Sequence, residues 1–91
     1  MDVVESRFFS FKILIRSSLP ESHRNNPMVI MLEQSNLALF LQTIKSKKDQ
    51  NYKEVMSELL EKMNLTLQNI DTNHIDKLLK YIEYFIEVAS L

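Results

Sequence analysis

The chain has no glycine in 91 residues. At the usual frequency of roughly 7%, about six would be present, so this absence constrains the fold. Without a residue lacking Cβ, the backbone cannot wrap closely around a phosphate or turn sharply beneath a nucleophile. The glycine-dependent phosphate loop, dinucleotide-binding turn, nucleophile elbow and standard calcium loop are all excluded. Two-residue type I′ hairpins are disfavoured for the same reason, since they take glycine for their positive φ angles. The absence tilts the fold toward helices joined by ordinary loops. Their C-terminal ends must rely on asparagines such as Asn64 in the left-handed conformation, on 3₁₀ turns, or on Pro20.

Cysteine is absent too, which removes disulfides, thiolate zinc sites, iron–sulfur clusters and cysteine nucleophiles. The length suits one domain over residues 1–91. A domain of this size buries only somewhat over about 60% of the surface its unfolded chain exposes. Apolar residues make up 45% of the chain, ample for one core and an excess for a small monomer. No run reaches the roughly 18 apolar residues of a membrane span. Asp2, Glu5, Arg7 and Lys12 also interrupt any apolar leader at the N-terminus. The expected location is the cytoplasm or the nucleus.

Three segments carry both helical periodicity and a start signal. Asn26-Pro27 places an N-cap before a proline at the first helical position, and the helix it opens is expected to run to about Ser46. Its stripe is Ile30, Leu37, Phe40, Leu41 and Ile44, widened by Met31, Leu32 and Leu39. Asn51 with Glu54 has the spacing of a capping box. The helix that follows puts Tyr52, Val55, Met56, Leu59, Leu60 and Met63 on one face, with Glu58 and Lys62 as an i,i+4 ion pair on the other. The third opens at Asp71, Thr72 or Asn73, with the stripe Ile75, Leu78, Leu79, Ile82, Phe85, Ile86 and Ala89. The segment Asn64–Ile70 between the last two helices reads as a loop whose leucines and isoleucine tuck into the core.

The first segment, Val3 to Leu19, supports two readings. As a helix it aligns Val4, Phe8, Phe11, Ile15 and Leu19; as a strand it alternates Phe9, Phe11, Ile13 and Ile15 with Ser10, Lys12, Leu14 and Arg16. Its β-branched and aromatic content suits a strand, but the one candidate partner strand, Met28–Leu32, carries a helix start. The favoured fold is therefore an all-α bundle of about four helices, arranged as two helical hairpins over about 4–46 and 49–90. It would be a closed bundle, a dimer or part of a larger helical assembly. The alternative is an α+β fold with an N-terminal strand.

The sequence offers little for catalysis. His23 and His74 lie far apart, and a zinc site needs further ligands converging on one of them. No cofactor or metal site is expected. Ser17-Ser18 and Ser22-His23 are the only serine candidates, and neighbours in sequence do not ordinarily place a hydroxyl on the adjacent ring in reactive geometry. The glutamate rows Glu54, Glu58, Glu61 and Glu83, Glu87 lie opposite apolar stripes, where water rather than a low-dielectric pocket surrounds them. An enzyme is not expected.

Charge divides along the chain. Residues 1–48 carry a net +3 and residues 49–91 a net −4, which suits halves that attract each other and lacks the basic excess of a nucleic-acid binder. The runner-up function, a small nucleic-acid-binding regulator, would use Lys45, Lys47, Lys48 and Lys53. The leading expectation is a non-enzymatic protein-interaction module, adaptor or regulatory in kind. It presents an apolar helix face to a partner helix or to an identical chain. Tyr81, Tyr84 and Val88 form a second row beside the main stripe of the last helix, and tyrosine suits an interface with a wet rim. The expected contacts are these three with Phe9, and Lys80 and Glu83 at the rim. No membrane or small-molecule partner is expected.

Overall fold

Each α-helix begins on an aspartate or asparagine whose side chain accepts a backbone N–H that the helix leaves without a partner. In a computed structural model, which describes residues 2–47 and 49–91, five α-helices start in this way. They are α1 (Val3–Ser18), α2 (Pro27–Gln34), α3 (Leu37–Lys45), α4 (Tyr52–Glu61) and α5 (Thr72–Ala89), capped by Asp2, Asn26, Asn36, Asn51 and Asp71. The cap hydrogen bonds span 2.8 to 3.0 Å. Short 3₁₀ turns occupy Glu21–His23 and Leu67–Asn69. At Asn51 only half of the expected capping box forms. The Glu54 carboxylate accepts from the Asn51 side-chain amide at 3.0 Å instead of from its backbone N–H.

Helix ends follow from the missing glycines. Among the described residues Asn64 is the one non-glycine residue at positive φ, 59°. Around it Leu65 N–H reaches back to Leu60 and Asn64 N–H to Glu61, both at 2.9 Å, which is the Schellman closure usually given to glycine. Leu60 and Leu65 are both buried, at the two positions where this closure commonly carries apolar residues. At the other exit, Leu19 is extended and precedes Pro20, as a pre-proline residue must be to avoid the ring.

The favoured helical reading of the first segment holds, and two other expectations need correction. The first segment is a helix, and among the described residues there is no strand, so the α+β alternative falls. Phe8, Phe11, Ile15 and Leu19 all turn inward, a helical set that an alternating strand would have split between two faces.

The expected helix from Pro27 to about Ser46 is two helices, which makes five instead of about four. Ser35 is extended and Asn36 caps α3. The carbonyls released at the break find donors: Lys12 Nζ reaches Glu33 O at 3.0 Å and Ser35 O at 3.3 Å, and Ser35 Oγ donates to Leu32 O at 2.7 Å. An Arg16–Glu33 ion pair at 2.7 Å adds to the α1–α2 contact. The break changes which residues face inward. Val29 is fully buried, whereas Ile30, assigned to the stripe, is 40% exposed.

The two-hairpin arrangement also gives way. Helix α5 packs against α1, α3 and α4, because its wide apolar face can cover three neighbours. Phe8, Phe11, Phe40 and Phe85 meet beside it as a cluster with ring centroids 4.8 to 6.0 Å apart. All five helices contribute to one core.

Candidate functional site

The break at Ser35 separates α2 from α3, and a groove opens between their apolar residues and the end of α4. Met28, Met31 and Leu32 come from α2, Leu39 and Phe40 from α3, and Leu59 with Met63 from α4 and its closing turn. The groove encloses about 200 Å³. Its lips are the most exposed part of an otherwise apolar surface, with Met31 60% and Leu39 57% exposed. Lys62 is the one charged residue lining it, and Ser35 and Thr43 supply hydroxyls. Three of the five methionines of the chain lie here. Methionine has an unbranched, polarisable side chain and reshapes readily to different partners. Asn26 Nδ2 donates to Met63 O at 3.4 Å and so ties the start of α2 to the turn after α4.

The residues singled out from the sequence occupy other faces. Tyr81, Tyr84 and Val88 are half-buried, and Lys80 and Glu83 are exposed. Tyr81 packs on Phe11 and Phe85, with centroids 5.8 and 6.4 Å apart. Tyr84 lies 5.3 Å from Phe85 and under the Arg7 guanidinium, 4.3 Å from its ring centre. Phe9 is 58% exposed, but it borders a hollow with Lys12, Asn36 and Leu37, whereas Tyr81 and Tyr84 border one with Arg7, Lys77 and Lys80. The structure does not bring Phe9 and the tyrosines into one patch. They flank opposite sides of α1.

The expected lysine patch is divided as well. Lys45 and Lys53 are exposed, Lys47 is held by the Glu58 carboxylate, and Lys48 lies outside the described residues. Glu58 was expected to pair with Lys62 one turn along its own helix. It instead takes Lys47, and Gln50 Nε2 at 2.9 Å, from the chain that leads into α4. These hydrogen bonds, Lys47 first and Gln50 second, hold the Glu58 carboxyl below its ordinary value.

For catalysis the structure adds one contact. Ser22 Oγ lies 3.2 Å from His23 Nδ1, closer than adjacent positions suggested, on an exposed 3₁₀ turn. His74 sits half-buried in the first turn of α5. Among the described residues no three histidine, aspartate or glutamate side chains converge to hold a metal ion. None of the helices is long and apolar enough to cross a membrane.

The sequence reading missed the groove because no single segment contains it. Met31 and Leu39 read as the widened edge of one helix stripe, and their exposure follows from the break between them. It also missed Arg7 and Lys77, which gain meaning only when α1 is laid on α5. Comparison with protein-family models, with curated proteins and with solved structures gives no significant match, so the chemistry of the surface is what speaks to its use.

Proposed function

We propose that the protein is a non-enzymatic interaction module of adaptor or regulatory type. The α2–α3–α4 groove receives the apolar face of an amphipathic helix from a different protein. The observation that carries this reading is the pair of exposed lips, Met31 and Leu39, above a methionine-rich floor. Water-facing apolar side chains arranged as a groove are the arrangement that helix-in-groove recognition uses, with anchors at i, i+3 or i+4, and i+7. Lys62, the sole charge in the lining, selects a partner with a carboxylate at that end. The lysine reading receives less support, since Lys47 is already neutralised by Glu58.

Selection from a displayed library of helical peptides tests the proposal. Enriched sequences should carry large apolar residues at that spacing and an acidic residue at one end. Leu39→Asp and Met31→Asp should each weaken the selected peptide by at least about tenfold, as central contacts do, with the melting temperature preserved. Peptides that bind Leu39→Asp as tightly as the parent would overturn the assignment. So would a reversible self-association that Leu39→Asp abolishes, because a second copy would then be the occupant.

A further inference from the structure

Sharing no residue with the groove, Arg7, Lys77, Lys80, Tyr81 and Tyr84 line a hollow of about 300 Å³. Three cations and two phenols border it, and no carboxylate does. Among the described residues the ion pairs are Arg16–Glu33 and Lys47–Glu58, so none of these three cations is neutralised by a close acid. Lys77 and Lys80 stand one turn apart on α5, a like-charge spacing that weakens a helix slightly. Arg7 is carried to them by α1. The cluster therefore arises from two elements far apart in sequence, and its two lysines come from the half of the chain that is otherwise net acidic.

We infer that this hollow binds a compact phosphate-bearing anion with at least two negative charges, such as a pyrophosphate group. Arg7 is the anchor. Its guanidinium carbon lies 4.3 Å from the centre of the Tyr84 ring, a cation–π contact that restrains the side chain beside the hollow, and its planar fork of N–H donors matches two oxygens of one phosphate. Lys77 and Lys80 add mobile point charges, and the tyrosine hydroxyls add neutral donors. An extended nucleic-acid backbone fits less well, because Asp76 and Glu83 stand one turn before and after Lys80 on α5 and would repel its neighbouring phosphates. The face of Tyr84 that a base would stack upon is already covered by Arg7.

The assay is built into the composition. The chain has no tryptophan and three tyrosines, of which Tyr81 and Tyr84 line the hollow. Titration of the whole protein with inorganic pyrophosphate, at constant ionic strength, should give a saturable change in tyrosine fluorescence. The double variant Lys77→Gln, Lys80→Gln should weaken binding by about tenfold or more, the scale of losing charge-assisted contacts. Arg7→Lys should weaken it too, by losing the planar fork, and the distant Lys53→Gln should leave it unchanged. A change that is not saturable, or that persists in the double variant, would overturn the inference. Tighter binding of a single-stranded oligonucleotide than of pyrophosphate, with a steep salt dependence, would also overturn it. Groove variants such as Leu39→Asp should leave this titration unaffected.

Discussion

Phe8 and Phe9 are chemically identical neighbours, and truncating each to alanine should have very different consequences. Phe8 is 4% exposed and lies 4.8 Å from Phe40 and 6.0 Å from Phe85, whereas Phe9 is 58% exposed. Removing a buried phenyl ring costs about 3–5 kcal/mol, through lost transfer energy and the cavity left behind. A substitution at an exposed position away from caps and networks stays within about 0.5 kcal/mol. A domain of 91 residues has a total stability of roughly 5–14 kcal/mol. Phe8→Ala should therefore remove at least about a fifth of it, and lower the melting temperature by on the order of 12–40 °C at about 4–8 °C per kcal/mol. Phe9→Ala should be nearly neutral. Urea denaturation followed by circular dichroism separates the two, provided the slope with denaturant is common to both variants. Equal losses, or a larger loss at Phe9, would refute the inward orientation of α1 and with it the aromatic cluster.

Other consequences can be checked in the same assay. Asn64→Ala should destabilise by about 1–2 kcal/mol, since a Cβ-bearing residue without a local side-chain hydrogen bond is forced into φ 59°; Asn64→Gly should be neutral or slightly stabilising. Asn36→Ala should cost about 0.5–2 kcal/mol through loss of the α3 cap, with little effect at Asn25, which caps no helix. Glu58 has its folded-state pKa lowered by Lys47 and Gln50. Its contribution to stability is therefore present above the ordinary carboxylate range and is lost as pH falls through the lowered value. Acid titrations of the parent and Glu58→Gln should converge at low pH, and a gap that stays constant through that range would contradict the Lys47–Gln50 arrangement.

Local signals were legible in the sequence and long-range ones were not. Asn26, Asn51 and Asp71 cap as their positions suggest, and Asn64 and Pro20 end helices for reasons visible in a glycine-free chain. The apolar face of α4 was likewise readable, because one strong stripe has a single way to turn. At Ser35-Asn36, two residues that favour caps sit inside a run of apolar residues, and periodicity alone favours continuity. The outcome depends on Lys12, some twenty residues away, satisfying the carbonyls that the break frees. Glu58 shows the same limit: its sequence neighbour Lys62 is available, but the turn before α4 brings Lys47 closer. Phe9 and the tyrosines were each identified as surface-facing aromatics, yet which side of α1 they occupy depends on how α1 lies on α5. The groove belongs wholly to this second class, since its walls come from three helices.

The absent glycines acted first as an exclusion of phosphate loops, and the hollow between α1 and α5 gives that exclusion a sharper form. Glycine-loop phosphate binding is closed to this chain, while side-chain binding through Arg7, Lys77 and Lys80 needs no glycine.

The central claim, that the α2–α3–α4 groove receives a partner helix, is tested most directly by methyl NMR of the protein labelled at methionine, titrated with a library-selected peptide. Met28, Met31 and Met63 line the groove, and Met56 is fully buried elsewhere in the core. The account predicts that the three groove methyls shift together and saturably while Met56 holds its position. A peptide that binds without moving Met31 and Met63 would contradict it.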